Sequence, residues 1–363
     1  MALSDFDLPA LAAQFTAWRH PASAAVKVLR RYFETGGQTI DGPQIARDLR
    51  ARLDAEIPLH STAIAARREA TDGTIKLLIS LADSAPRGLN ILSSASTVEC
   101  VLMPSHRADR SAGCVSSQIG CAMGCDFCAS TKAGVERSLT AGEIIEQFLW
   151  LRTENLRLGR RLQTLVFMGM GEPLLNYENV LAAIRRIGAQ ELGTLGWRQI
   201  TVSTVGIVPG IDRLAEEGIP LTLAVSLHAP DDDTRSAIVP TGRKYRVADI
   251  LAATRRYQQK VGRPVNIEYT MLQGVNDSDA QARLLADMIA TENRAGRVHV
   301  NLIPYNWIGP GVSGRIYQRP AMERMARFAE ILTERGAIAH FRRTRGDDIE
   351  GACGQLRETV AGK

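Results

Sequence analysis

The chain is 363 residues long, 45% hydrophobic, with six cysteines and a formal net charge of +5. A chain of this length buries a large core and sets an expectation of two or three domains, while no apolar run approaches the ~18 residues of a membrane span. No signal-peptide pattern accompanies the cysteines, so a secreted disulfide scaffold is disfavoured and a cytoplasmic enzyme is expected.

Along the first seventy or so residues, 24–34 and 45–53 read as short helices with no strand signal, which suggests a small helical accessory domain. Residues 74–81 and 97–103 are extended pieces that would form a small antiparallel unit. A strand over 114–118 leads into a cysteine-rich loop. From there β-branched runs at 164–168, 199–204, 221–227, 265–271 and 298–303 alternate with helical patterns at 141–157, 177–187, 247–260 and 279–292. Strands separated by helices at this rhythm argue parallel βαβ units in an α/β fold. About six such units favour a partial (β/α)6 barrel over a doubly wound sheet, although periodicity alone does not separate the two. The expected division is an accessory domain over 1–74, a linker or small β unit over 75–112, the barrel over 113–345 and a tail over 346–363. Arg315, Arg319, Arg324, Arg327, Arg335, Arg342, Arg343 and Arg345 crowd the last fifty residues. Such clustering suits either an RNA-facing surface or a solvated helix.

The run GCAMGCDFCAS places Cys121, Cys125 and Cys128 at C-x3-C-x2-C spacing and supplies no fourth thiolate. A four-iron cluster held by three thiolates keeps one iron open to a small-molecule ligand. Structural zinc wants four closed ligands, and no second CxxC pair is present. In a parallel barrel the C-terminal strand ends converge on the active face, so polar residues there are site candidates. Gly169, Gly171 and Glu172 follow one strand, Ser203 lies near the end of the next, Ser226, Leu227 and His228 follow the third, and Asn306 follows the last. Each alone is weak; their recurrence is the stronger signal.

The blocks GCVSSQIGCAMGCDFCAS, LVFMGMGEPLLN, ITVSTVGIVP, LAVSLHAP, VNLIPYN and RRTRGDDIEGACGQL, in this order over roughly residues 97 to 358, resemble those of the RlmN/Cfr family of radical S-adenosylmethionine (SAM) RNA methyltransferases. The resemblance implies a [4Fe-4S] cluster on Cys121, Cys125 and Cys128, with SAM chelating the unique iron and cleaved by one electron to a 5′-deoxyadenosyl radical. It implies that Gly171 and Glu172 hold the methionine part of SAM, that Ser203 contacts it, that Ser226, Leu227 and His228 line its site, and that Asn306 completes it. It also implies a methyl-carrying role for Cys353, which receives a methyl from one SAM and loses a hydrogen from it to a second. The carbon radical then adds to an adenine. Cys114 would release the link by pairing with Cys353 as a disulfide, and Glu99 would take the ring proton. A raised carboxyl pKa would help Glu99, and the flanking Val98, Cys100, Val101 and Leu102 offer an apolar setting. Cys100 itself matches no role and reads as a buried apolar residue.

Within the family, GEPLLN resembles the RlmN branch, which methylates C2 of adenosine, in 23S rRNA and in the anticodon loop of certain tRNAs. C8 methylation, as in the Cfr branch, or a divergent RNA target is the alternative, and a non-catalytic RNA-binding protein is a third reading. The implied partners are the RNA and an electron donor such as flavodoxin or ferredoxin, acting on a monomer with no membrane association. The chain departs from the family pattern at HPASAAVKVLRRYFETGG, at ADSAPRGLNILSSAST and at SHRADR, which puts the choice of RNA rather than the chemistry in question.

Overall fold

The structure is a computed structural model that describes residues 1–81, 97–290 and 298–356. Most of ADSAPRGLNILSSAST, the end of the 279–292 helix and the last residues of the expected tail lie outside the described residues. Three helices open the chain: α1 (Leu8–Ala17), α2 (Ala24–Glu34) and α3 (Arg47–Glu56). The Asp7 side chain caps α1 by accepting from the amide of Ala10, and Pro9 sits in the first turn, where a missing N–H costs nothing. Sequence periodicity passed over α1 because its apolar residues run almost continuously. In α2 the stripe Val28, Leu29, Tyr32 and Phe33 is buried. That stripe joins the same apolar core as the barrel helices, with Phe33 6.3 Å from Phe148.

An antiparallel meander follows, built of β1 (Ala63–Glu69), β2 (Ile75–Ser80), β3 (Thr97–Pro104) and β4 (Arg110–Cys114). A small hairpin, β5 (Gln118–Gly120) with β6 (Val135–Ser138), brackets the cysteine loop. From β4 the main sheet turns parallel through β7 (Arg161–Phe167), β8 (Ile200–Thr204), β9 (Thr222–Ser226), β10 (Val265–Met271), β11 (Val298–Pro304) and β12 (Ile338–Phe341). Its crossovers carry α4 (Ala141–Arg157), α5 (Tyr177–Ile187), α6 (Val208–Glu216), α7 (Asp232–Ile238) with α8 (Val247–Val261), α9 (Asp279–Ala290) and α10 (Met322–Glu334). These are the six β/α units of a partial barrel, open between the edges β1 and β12.

Two readings of local structure change. The strand expected over 114–118 ends at Cys114: Val115 still donates to Val166, but the amide of Ser116 turns to the side chain of Gln147 and that of Ser117 to Met170, so the chain peels off before Gln118 starts the hairpin. The stretch read as free of strands contains β1. Its sequence AIAARRE has little strand propensity, and it is an exposed edge whose order comes from pairing with β2.

Register positions the site. Lys76, Val101, Cys114 and Val166 lie opposite one another across β2, β3, β4 and β7, so their side chains share one face of the sheet. By the same alternation Glu99 and Met103 share the face of Val101.

Candidate active site

A cavity of about 150 Å³ at the C-terminal strand ends is lined by Cys121, Cys125 and Cys128, by Gly171, Glu172, Ser203, Ser226, His228 and Asn306, and by Cys353. Gly171 has φ +96°, and a Cβ there would stand 2.6 Å from the Cβ of Gln118, so only glycine lets the turn lie against the cysteine loop. Burial raises the Cys121 thiol to about 12, and it raises Cys125 and Cys128 as well, with neighbouring sulfurs adding to the effect at Cys121 and Cys125. Three protonated thiols in a dry pocket exchange their protons for metal when metal binds.

Among the described residues no group of three His, Cys, Asp or Glu side chains converges tightly enough to grip a single metal ion. A four-iron cluster is different, since its thiolates attach to separate irons. The buried Arg235 fits such an anionic group: it donates to the carbonyls of Leu227 and Val205, its charge is felt at Cys125, and its Nη1 is buried without a hydrogen-bond partner. The three thiols with this guanidinium behind them suit a cluster.

Glu172 accepts from the amides of Val205 at 2.8 Å and Leu174 at 3.0 Å, and burial raises its carboxyl to about 7. His228 adopts φ +61°, accepts from the amide of Thr270 at Nδ1, and is pulled down to about 3 by burial and then by Arg235, so it is neutral. Its ring meets the edge of Phe127 at 4.7 Å. The hydroxyls of Ser203 and Ser226 lie 3.4 Å apart. Leu227 is the exception, since its side chain belongs to the core and only its backbone serves the site, as acceptor for Arg235. Asn306 spends its amide on the tail, donating to the Cys353 carbonyl at 3.0 Å, while its Oδ1 accepts from Arg319 and Thr344.

A second cavity, of about 590 Å³, adjoins the first. Its floor includes Val101, Met103 and Val166, its rim carries His106, Arg342, Arg343 and Arg345, and both Cys114 and Cys353 face it. Burial raises Cys114 to about 12, with the nearby Cys353 sulfur adding to this; Cys353, an exposed residue, is raised by the partial loss of water at the cavity wall, and the Arg342 guanidinium pulls both down. All six cysteines are free, so the Cys114–Cys353 disulfide implied for one stage of the reaction is not present. Cys100 is buried, as expected.

Glu99 is on the wall of neither cavity. Its carboxylate lies 2.9 Å from the ammonium of Lys76, with both side chains buried, so the apolar setting expected from its neighbours contains a charged partner. The arginine cluster divides. Arg324, Arg327 and Arg335 are held by Asp279, Glu330 and Asp287 on the outer helices, whereas Arg342, Arg343 and Arg345 reach the second cavity. Sequence reasoning missed Lys76 and Arg235. A lysine inside the apolar strand IKLLIS is a readable signal, but an arginine in the acidic turn DDDTRS offers none.

Three thiols with a fourth position left to a ligand, set at the C-terminal ends of a partial barrel, define a radical-SAM enzyme. Residues 115–285 match the model of the Radical SAM superfamily. A probable dual-specificity RNA methyltransferase RlmN from Opitutus terrae is 52% identical over 98% of this chain and 96% of its own, and one from Symbiobacterium thermophilum is 46% identical over 80% and 73%. The crystal structure of a radical SAM methyltransferase from Sphaerobacter thermophilus superposes with a TM-score of 0.87 at 40% identity, covering 99% of this chain and 100% of that one. The chain belongs to the RlmN family of radical-SAM RNA methyltransferases.

Proposed function

We propose that this RNA methyltransferase methylates C2 of adenosine in 23S rRNA, with tRNA as a second substrate, through an S-methyl group carried on Cys353. The observation that carries the reading is the position of Cys353, whose residue lines both the cavity of the three cluster cysteines and the larger cavity that holds Cys114. A sulfur placed so can meet SAM on one side and RNA on the other. The GEPLLN block and the dual-specificity naming of the relatives support the C2 product and the two RNA substrates.

Cys121, Cys125 and Cys128 would hold a [4Fe-4S] cluster, which with SAM bound supplies a hydrogen-abstracting radical once a donor such as flavodoxin or ferredoxin has delivered an electron. The chain's own groups do the rest. Glu172 and the backbone at Gly171 receive the amino-acid end of SAM, and neutral His228 adds no competing charge. Cys353 takes the first methyl, while Arg342 favours the thiolate that this step needs. After the methyl carbon has bonded to the adenine ring, one electron would return to the oxidised cluster and the ring proton would leave to the Glu99 carboxylate, which lies on the sheet face that Val101 and Met103 present to the second cavity. Cys114 then attacks the Cys353 sulfur; an S–S bond forms, the C–S bond breaks, and the carbon keeps the electron pair and takes up a proton. Arg342, Arg343 and Arg345 at the rim would pair with RNA phosphates, and the N-terminal helices would add contacts outside the cavity.

The test is mass spectrometry of ribosomal and transfer RNA digests from cells with and without the gene. A 2-methyladenosine signal that disappears with the gene is expected; loss of 8-methyladenosine, or of no modified adenosine, refutes the reading.

A further inference from the structure

Lys76 stands in none of the roles so far described, yet it is the one buried lysine among the described residues. Its side chain is 5% exposed and Glu99's is 2% exposed, at a separation of 2.9 Å. Burying such a pair costs several kcal/mol of desolvation per ion, and an apolar pair of similar volume would be as stable or more so. The pair is therefore not explained by stability. The Lys76 Nζ makes a second bond, donating to the carbonyl of Glu350 at 3.1 Å, three residues before Cys353. Around that carbonyl the tail is fastened to the β1–β2 turn: the amide of Thr71 donates to Asp348, Arg345 approaches Asp72 at 3.6 Å, and Gly346 packs on Thr74. Across the sheet, Lys76 sits in register with Val101 and Cys114.

We propose that Lys76 is a positioning residue that acts through Glu99, with one ammonium fixing the carboxylate that takes the ring proton and the tail turn that carries Cys353. The inference rests on the reading of Glu99 as the base. Because Nζ bonds both, the base stays in register with the sulfur from which the new carbon hangs. The ammonium also supplies the counter-charge beside a carboxylate that is otherwise buried. Removing Lys76 should therefore spare the steps before proton loss and slow proton loss together with the release that follows it. The methyl transfer to Cys353 and the addition to RNA proceed, and the RNA–protein link persists.

The experiment follows the covalent link in reconstituted enzyme carrying the cluster. Lys76→Met, Glu99→Gln and the double variant are mixed with SAM, a reductant and an adenosine-containing rRNA fragment. S-methylation of Cys353 is read by peptide mass spectrometry, and RNA that survives denaturant is read by gel. Lys76→Met is expected to methylate Cys353 as the parent does and to release RNA at least about tenfold more slowly, a part of the roughly 10²–10⁴-fold that a general base contributes. In the Glu99→Gln background the same substitution should add nothing to the release rate, because without the base carboxylate the hold of Lys76 on the tail turn no longer aligns a base with the sulfur. Lys76→Arg should restore part of the release rate. The double variant removes both buried charges and is the one expected to fold if Lys76→Met, with its unpaired carboxylate, does not; its rate must then equal that of Glu99→Gln. Normal release by Lys76→Met, an additional loss in the double variant, or failure of Cys353 methylation in Lys76→Met overturns the proposal while leaving Glu99 as the base. Normal release by Glu99→Gln overturns the base itself, and Lys76 with it.

Discussion

Replacing Asn306 by Ala separates two tasks, holding the tail and holding SAM. The Asn306 amide donates to the Cys353 carbonyl at 3.0 Å, and its Oδ1 accepts from Arg319 at 3.0 Å and from Thr344 at 3.2 Å. The first of these bonds reaches Cys353 itself, and the third reaches Thr344 near the start of the same tail. A neutral hydrogen bond contributes roughly 0.5–1.5 kcal/mol net, and because Cys353 is exposed, water can replace the lost donor. With about 1.4 kcal/mol per factor of ten, the detached population of the tail should rise roughly two- to tenfold. The tail should still fold onto the barrel, because the Ala129 amide and the Ser130 hydroxyl hold the carbonyls of Gly354 and Leu356, each at 2.7 Å. Hydrogen exchange followed by mass spectrometry reads this directly. The amides of Gly351 and Gln355, which bond within the tail to Gly346 and Ala352, should exchange faster by that factor, while peptides from α8 should not change. Titration with SAM on reconstituted protein, run beside it, measures the contact that the family resemblance implies. Tail exchange equal to that of the parent would refute the holding role, whatever happens to SAM affinity.

Substituting any one of Cys121, Cys125 or Cys128 by Ala should take iron from about four per chain to near none, by colorimetric iron assay and visible absorption; a variant retaining full iron and its spectrum rules out that cysteine as a ligand. Cys114→Ala protein from cells should carry RNA that nuclease trims but denaturant does not remove, and the double variant Cys114→Ala with Cys353→Ala should carry none. Equal retention in both would mean ordinary salt-dependent binding and would remove Cys114 from the release step. The buried carboxylate of Glu146 accepts from Ser4 and from the amides and hydroxyls of Ser61 and Thr62. Burial acts to raise its pKa, but the nearby His60 ring, 3.7 Å away, and hydrogen bonds from Ser4, Ser61 and Thr62 overcome this and hold it below its ordinary 4.5. A carboxyl lowered on folding contributes stability in full above its unfolded value and loses it as pH falls through the folded one. Glu146→Gln should accordingly cost about 2–5 kcal/mol at pH 7, and the gap to the parent should narrow as pH drops below about 4.5. Thermal melts across pH that stay parallel would contradict this.

The barrel was legible because its strands carry β-branched runs and its helices carry clean amphipathic stripes; 141–157 and 177–187 are read to the residue, helped by the Thr140–Glu143 capping box in front of α4. What was not legible was set by partners distant in sequence. β1 owes its order to its ladder with β2, and the break after Cys114 follows from a bond between the Ser116 amide and Gln147, thirty-one residues away. The cavity at the strand ends followed from strand polarity, which places Gly171, Glu172, Ser203, Ser226 and His228 together without any knowledge of loops. Charge placement did not. The sequence offers eight late arginines as one basic patch, and the fold spends Arg324, Arg327 and Arg335 on surface acids. Glu99 read as a carboxylate among apolar residues, because Lys76 is supplied by the neighbouring strand.

The tail is the part of the molecule whose weakness has a use. Apart from the single turn Asp347–Ile349, residues 342–356 have no regular structure, and apart from Leu356 in the main apolar core their hold comes largely from separate polar bonds to the β1–β2 turn, to Lys76, to Asn306 and Trp307, and to Ala129 and Ser130 just after the last cluster cysteine. Segments tied this way open at a small fraction of the global unfolding free energy. On the proposed mechanism Cys353 must present its sulfur first to SAM and then to RNA, and both cavities share the walls Cys128, Met168, Gly169 and Asn306 beside it. Because Cys353 already lines both cavities, breaking one or two of those bonds would be enough to re-aim its sulfur from one to the other. A helix in this place would have to unwind to do the same, which explains why a glycine-flanked turn rather than a regular element carries the cysteine.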